Sequence, residues 1–348
     1  MATQTGRTAT RLLGIVCAIL VVAALKEAKS VLAPLALATF VIIAAWPIQD
    51  WLERRVPRWL AAVCTITVVL IVTSLIIGAV FWSVEQVAVR APRIAQRLGD
   101  LSGEFGAWGR RLGMPVTNES ANEQLVSQLS SFGRTLAPAL YSSVVMLALG
   151  VAFLILGLLE VRDFEAKVTT RLRRHVGDTV LEAGRTIAHQ TRRHLVALTL
   201  SSAVSGVLTT GFAIAMGLEL ALTWGIIAFL LNYIATVGPA LAVIPPTLFA
   251  LVQFTGPGRP LAVFLGIGAI QFLMGNFVDP KIEGRVLSLS PIVVLFAIVF
   301  WGWVWGWLGA ILAVPLMAAV IIACAQFEGT RWVAALLSDI GDDEKRSA

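Results

Sequence analysis

Charge is what this chain has least of. Asp, Glu, Lys and Arg make up 14% of its 348 residues, where a soluble domain carries about 25%. With 57% hydrophobic residues and a mean hydropathy of +0.83, a soluble globular fold is excluded. Cysteine is equally sparse. Cys17, Cys64 and Cys324 all fall in apolar stretches, at no metal-ligand spacing and in no disulfide pattern, and read as small buried hydrophobes. The only histidines are His175, His189 and His194. The last two are five apart and do not share a helical face, so they do not suggest a metal site. The chain holds no P-loop lysine motif, no HExxH and no nucleophile elbow. These absences argue against an enzyme, against a bound cofactor, and against ATP-driven transport by this polypeptide alone.

What the chain does have is long apolar runs, at about 12–25, 31–50, 60–83, 141–160, 195–217, 223–253, 261–278 and 291–324. Several approach the roughly 20 residues that cross a bilayer as helix. They are continuous rather than alternating, which excludes a membrane β-barrel. The expected fold is all-α: a polytopic membrane protein with about eight hydrophobic spans, broken or re-entrant helices in the C-terminal third, and a helical extracytoplasmic insertion. Arg7 and Arg11 before the first run resemble a signal peptide. A second apolar span follows without a clear cleavage site, so the first run reads as an uncleaved transmembrane helix.

The net charge of +6 does not indicate nucleic acid, because the basic residues flank apolar spans as the positive-inside rule expects. Arg54, Arg55 and Arg58 follow the second span, and residues 162–194 carry eight Lys or Arg against four acids. Both segments are expected in the cytoplasm, which places both termini there. The expected organisation is 1–83, N-terminal membrane helices; 84–140, an extracytoplasmic amphipathic insertion; 141–161, a membrane helix; 162–194, a basic cytoplasmic segment meeting anionic headgroups; 195–327, a transport core; and 328–348, a cytoplasmic tail. Within the insertion, Ser120-Ala-Asn-Glu123 is a capping-box pattern. Leu125, Val126, Leu129, Phe132 and Leu136 then recur at helical spacing.

Six charged residues lie between Leu195 and Phe327, and four of them, Asp279, Lys281, Glu283 and Arg285, fall within seven positions. Charge at membrane depth is costly and faces protein or water, which makes this run the first candidate site. Gln271 and Asn276 lead into it, Gly284 permits a turn, and Asp279 is the best candidate for a proton- or cation-coupled carboxylate. An interfacial loop would leave these charges solvated, whereas a re-entrant loop would place them in a path. A second candidate is Leu231-Asn-Tyr-Ile-Ala-Thr-Val-Gly-Pro-Ala-Leu-Ala-Val-Ile-Pro-Pro246. Asn232 and Thr236 are expected on one helical face, with breaks at Gly238-Pro239 and Pro245-Pro246. Such breaks present backbone dipoles to transported solutes. Third, in Phe300-Trp-Gly-Trp-Val-Trp-Gly-Trp-Leu-Gly309, a single helix would pair Trp301 with Trp305 and Trp303 with Trp307. It would also align Gly302, Gly306 and Gly309 for close packing. Pro315 is expected to break this span again. Glu219 is expected at a solvated interface, and Arg259 in a cytoplasmic turn.

The Gly238-Pro239 break with Ile244-Pro245, the Asp279-Pro-Lys-Ile-Glu-Gly284 run, the Leu289-Ser-Pro291 turn and the Trp301-Gly-Trp run ending at Val314-Pro315 together resemble the AI-2E family. This family of bacterial inner-membrane transporters is also called the autoinducer-2 exporter or PerM family, and the likeness covers nearly the whole chain. The resemblance implies ATP-independent secondary transport, with export of the autoinducer-2 signal in some members and sodium/proton antiport in others. It also implies a homo-oligomer, with a pentamer as the candidate. Its characteristic positions fall here on Gly238, Pro239, Pro245, Asp279, Pro280, Gly284, Ser290 and Pro291. The expected partners are therefore the lipid bilayer, a small solute or cation, and further copies of the chain. The competing readings are a sodium or lithium/proton antiporter, a passive channel, and a non-transporting oligomeric membrane scaffold.

Overall fold

The computed structural model describes residues 2–111, 148–160, 177–283, 290–326 and 329–337. Expectations that fall on 112–147, 161–176 and 284–289, including those for His175, Gly284 and Arg285, lie outside the described residues. So does the side chain of Glu283. Every element described is helical. In chain order they are α1 (Ala2–Glu27), α2 (Lys29–Glu53), α3 (Arg58–Arg111), α4 (Ala148–Glu160), α5 (Gly177–Ala215), α6 (Ala221–Leu231), α7 (Val237–Gln253), α8 (Gly258–Leu273), a π turn (Met274–Val278), α9 (Asp279–Glu283), α10 (Pro291–Trp305), α11 (Trp307–Gln326) and α12 (Arg331–Leu337). Lys29–Glu53, Arg58–Val87, Glu182–Ala215, Gly258–Ile282 and Trp307–Gln326 are long and apolar enough to cross a membrane. α4, α6, α7 and α10 are apolar but shorter. The all-helical polytopic class expected from the apolar runs is the one found.

The chain divides into two compact units, with boundaries inside α3 and α5. The first comprises residues 1–66, 146–194 and 285–348. Small residues bring its helices close together. Ala33, Pro34, Ala38 and Ala45 of α2 are buried, and a side chain at Gly150 or Gly157 of α4 would meet Pro34 or Ile42. Helices without a hydrophobic drive to associate pack through such backbone approaches.

α10 and α11 form a hairpin in this unit. The expected single helix through the tryptophan run is interrupted at Gly306, whose φ of 70° and ψ of −148° are open essentially to glycine alone. Trp301 and Trp305 do pair, at 4.9 Å between centroids. Trp303 and Trp307, however, fall on different helices. Gly309 serves the hairpin itself, because a Cβ there would lie 1.9 Å from the Trp301 carbonyl oxygen. Pro315 does not break α11, which continues to Gln326 with Pro315 buried. The α10 start explains the Ser-Pro signature: Ser290 is the extended N-cap and Pro291 takes the first helical position, where a missing N–H costs nothing.

The second unit comprises residues 67–145 and 195–284. Its core joins Ala213, Leu218, Trp224, Val243, Phe249, Ala250, Phe254, Val263 and Ile267. α5 is its central element. It crosses α6 at two glycines, Gly206 and Gly225, where a Cβ on Gly225 would lie 2.6 Å from the Gly206 carbonyl oxygen. Against α8, the Phe212 ring fills the space left by Gly266.

Candidate functional site

The apolar run 223–253 was expected to break at Gly238-Pro239 and again at Pro245-Pro246. The break instead falls earlier, between the end of α6 at Leu231 and the start of α7 at Val237. Pro239 lies in the first turn of α7, where its missing donor is not needed. Pro245 and Pro246 lie inside α7, which continues to Gln253. Packing of Ala242, Val243, Pro246 and Phe249 into the core offsets the bonds the prolines forgo. Gly238 has a different task from breaking a helix. A Cβ there would lie 1.8 Å from the Leu231 carbonyl oxygen, so only glycine lets the start of α7 press on the end of α6. Thr236, at φ 60° and ψ −44°, is a β-branched residue held at positive φ, a costly conformation found where the surroundings impose it. Asn232 and Thr236 therefore do not share a helical face: Asn232 is buried and Thr236 is exposed.

Asn232 turns toward α5, and its Nδ2 donates to Ser202 Oγ at 3.0 Å. Gln271 of α8 faces the same helix. Its Nε2 donates to Ser205 Oγ at 3.1 Å and to Thr209 Oγ1 at 3.5 Å, while Ser205 Oγ lies 3.2 Å from Gln271 Oε1 as a donor. From α9, Asp279 Oδ1 accepts a hydrogen bond from Ser201 Oγ. Beside these, Tyr233 and Thr199 share a hydroxyl–hydroxyl bond of 2.9 Å. Ser201, Ser202, Ser205 and Thr209 are all 0% exposed, and Asn232 and Gln271 are 4% and 5% exposed. Asp279 is half-buried.

The site is therefore a hydroxyl stripe on one face of α5, met by an amide from the end of α6, an amide from α8 and a carboxylate from α9. Ser201, Ser205 and Thr209 recur every fourth residue, which aligns them on one helical face. The π turn delivers the carboxylate. Gln271 and Asp279 are eight apart, and a regular α-helix of 3.6 residues per turn would aim them about 80° apart. One extra residue in the π turn reduces this to about 20°, so both face α5. As far as Glu283 the charged run is thus not a loop: it continues the α8 helix.

The remaining candidates are placed elsewhere. Asn276 is exposed, and its Nδ2 donates to the Phe272 carbonyl oxygen of its own helix at 2.8 Å. Its amide is satisfied there and does not join the stripe. Pro280 and Lys281 are exposed. Ser290 and Pro291 belong to the first unit. Reading for scarce charge singled out Asp279, Asn232 and Gln271 but missed the hydroxyls they bind. The signal was present in the fourth-residue spacing of Ser201, Ser205 and Thr209 within an otherwise apolar stretch. Among the described residues no group of His, Cys, Asp and Glu side chains is placed to hold a metal ion.

Apolar helices that turn their few polar side chains onto one another define a polytopic membrane protein that keeps its polar chemistry inside the protein. Its kin are transporters. The family model described as AI-2E family transporter matches residues 13–329, and the chain belongs to that family. It is 29% identical to the Escherichia coli AI-2 transport protein TqsA over 93% of this chain and 94% of that protein. It is also 29% identical to a Haemophilus influenzae protein named "Putative transport protein", over 95% of this chain and 97% of that one. A Bacillus subtilis protein named "Putative transport protein YrrI" is 23% identical over 86% of this chain and 87% of its own length.

Proposed function

We propose that the chain is a secondary transporter of the inner membrane that exports a small polar solute, such as the autoinducer-2 signal, without ATP. In this reading both termini are cytoplasmic, the working form is a homo-oligomer, with a pentamer as the candidate, and the α5 stripe with its partners forms the polar part of the path. One observation carries the reading: a carboxylate, Asp279, is brought by a π turn onto a buried hydroxyl of α5, within a helical stretch apolar enough to cross a membrane. An ionisable group in that position is expensive unless it works, and π turns recur at functional sites. The name of the Escherichia coli relative supplies the solute class. Asp279 acts as the coupling or gating charge, and Asn232, Gln271 and the α6–α7 break flank it. Lys281, Glu283 and Gly284 extend the same segment, and Thr236, Gly238, Pro239 and Pro245 shape the break.

Asp279→Asn preserves size and hydrogen-bonding capacity but removes the charge. In proteoliposomes loaded with autoinducer-2, the variant should fold, reconstitute and lose flux or its dependence on an ion gradient. Unchanged, still-coupled transport would remove Asp279 from the mechanism. The same carboxylate also favours a second reading, sodium or lithium/proton antiport. A pH-sensitive dye that reports proton movement on addition of sodium or lithium, without organic solute, separates the two.

A further inference from the structure

Just beyond the C-terminal end of α5, the second unit carries a cavity that the transport reading does not use. It is lined by Arg90, Arg93, Glu219, Phe249, Val252 and Gln253. The apolar part of α3 ends at Val87, α5 ends at Ala215 and α7 ends at Gln253. Glu219 and Gln253 tie these ends together. Gln253 Nε2 donates to the Gly217 carbonyl oxygen at 2.7 Å, and its Oε1 accepts from the Glu219 N–H at 2.8 Å. Both ends of that amide are spent on fixing the turn. Glu219 in turn meets Arg90, Nε to Oε2 at 3.3 Å, and Arg90 Nη1 donates to Gln86 Oε1 at 2.8 Å. Arg90 is therefore oriented before any ligand arrives. Arg93 is exposed and has no hydrogen-bond or ion-pair partner among the described residues.

Two guanidinium groups against one carboxylate leave the cavity net positive, beside the buried apolar side chains Phe249 and Val252. Guanidinium forks bind planar or tetrahedral oxyanions through paired N–H donors. The apolar stretch of α3 and the helices α5 and α7 all end here, as expected at the depth of lipid phosphate groups. We infer that this cavity binds a phosphate-bearing anion, with Arg93 as its principal contact, Arg90 as its oriented second donor, and Phe249 and Val252 as the apolar side that an amphiphile would cover.

The test uses the full-length protein in detergent, titrated with phosphatidylglycerol and followed by native mass spectrometry. Diacylglycerol serves as the phosphate-free lipid, and glycerol 1-phosphate as the soluble anion. Arg93→Gln should weaken phosphatidylglycerol binding by roughly tenfold, the scale of one strong charge-assisted contact. Arg93→Lys should fall between the two. Arg259→Gln, which removes a charge stacked over Phe254 outside the cavity lining, should leave binding unchanged. Diacylglycerol should not bind at this site. Displacement of the lipid by millimolar glycerol 1-phosphate would identify a free anion as the natural occupant, and resistance to it would identify the lipid. Arg93→Gln binding phosphatidylglycerol as tightly as the parent, or Arg259→Gln losing as much as Arg93→Gln, would overturn the site. Thermal unfolding of lipid-free Arg93→Gln checks that the variant is folded.

Discussion

A buried amide has four hydrogen-bonding sites, and burial turns each unmet one into a cost. Gln271 fills three of them on α5, through Ser205 and Thr209. Gln271→Leu fills a similar volume but strands both hydroxyls. An unsatisfied buried polar group costs about 1–3 kcal/mol, while hydrogen bonds between membrane helices measure nearer 0.6 kcal/mol on average. Because a serine or threonine hydroxyl can turn back to its own helix carbonyl, as Thr210 does to Gly206, the expected loss is at the lower end, about 1 kcal/mol. Thermal unfolding in detergent would register it, and the double variant with Ser205→Ala should recover part of the loss. A larger loss in the double variant would mean that the two residues do not act as a pair. At this scale the sequence was informative where chemistry was rare. Asp279 and Asn232 stood out because charges and amides are few in apolar runs. Ser201, Ser202, Ser205 and Thr209 did not, because hydroxyls are common in membrane helices and usually satisfy themselves. Only their partners, distant in the chain, give them meaning.

Elements proved harder to read than residues, for a physical reason. Proline and glycine mark where a helix can be interrupted, but tertiary packing chooses where it is. Pro245, Pro246 and Pro315 all sit inside helices, while the actual interruptions fall at Asn232–Thr236 and at Gly306. Gly238 was expected to break the helix, whereas its place within α7 rests on the close approach of Leu231. The π turn over Met274–Val278 carries no sequence signature at all, yet it sets the direction of Asp279. Adding one residue to it tests this role. The position after Gly275 is suitable, since the surroundings of Gly275 are open. An alanine inserted there should swing Asp279 by about 100° away from Ser201. Deleting Gly275 should instead leave a regular α-helix with Gln271 and Asp279 seven apart, still within about 20° of one another. A cysteine pair at Ser201 and Asp279 should cross-link readily in the parent and in the deletion, and at least tenfold less in the insertion. Equal cross-linking in the insertion would show that the π turn does not orient the residue. Transport by the insertion variant, carrying Ser201 and Asp279 unchanged, should match that of Asp279→Ala.

For the whole molecule, the apolar runs made the helical polytopic class legible, because in lipid every backbone group must be satisfied within helices or a closed barrel. Orientation rests on a different force, the bias of Lys and Arg toward the cytoplasm. Arg54, Arg55 and Arg58 follow α2, and basic residues outnumber acids eight to four over 162–194. α3 follows the first of these segments and is long and apolar enough to cross once as the stretch Arg58–Val87. Gln96, beyond that stretch, should therefore face the side opposite Glu182, at the start of the α5 span. Both side chains are exposed. With Cys17, Cys64 and Cys324 replaced by serine, Gln96→Cys should react with a membrane-impermeant maleimide added to intact spheroplasts. Glu182→Cys should react only after lysis. Labelling of both variants in intact spheroplasts would deny that α3 crosses between them. Labelling of Glu182→Cys alone would invert the orientation and with it the direction in which any solute gradient drives this transporter.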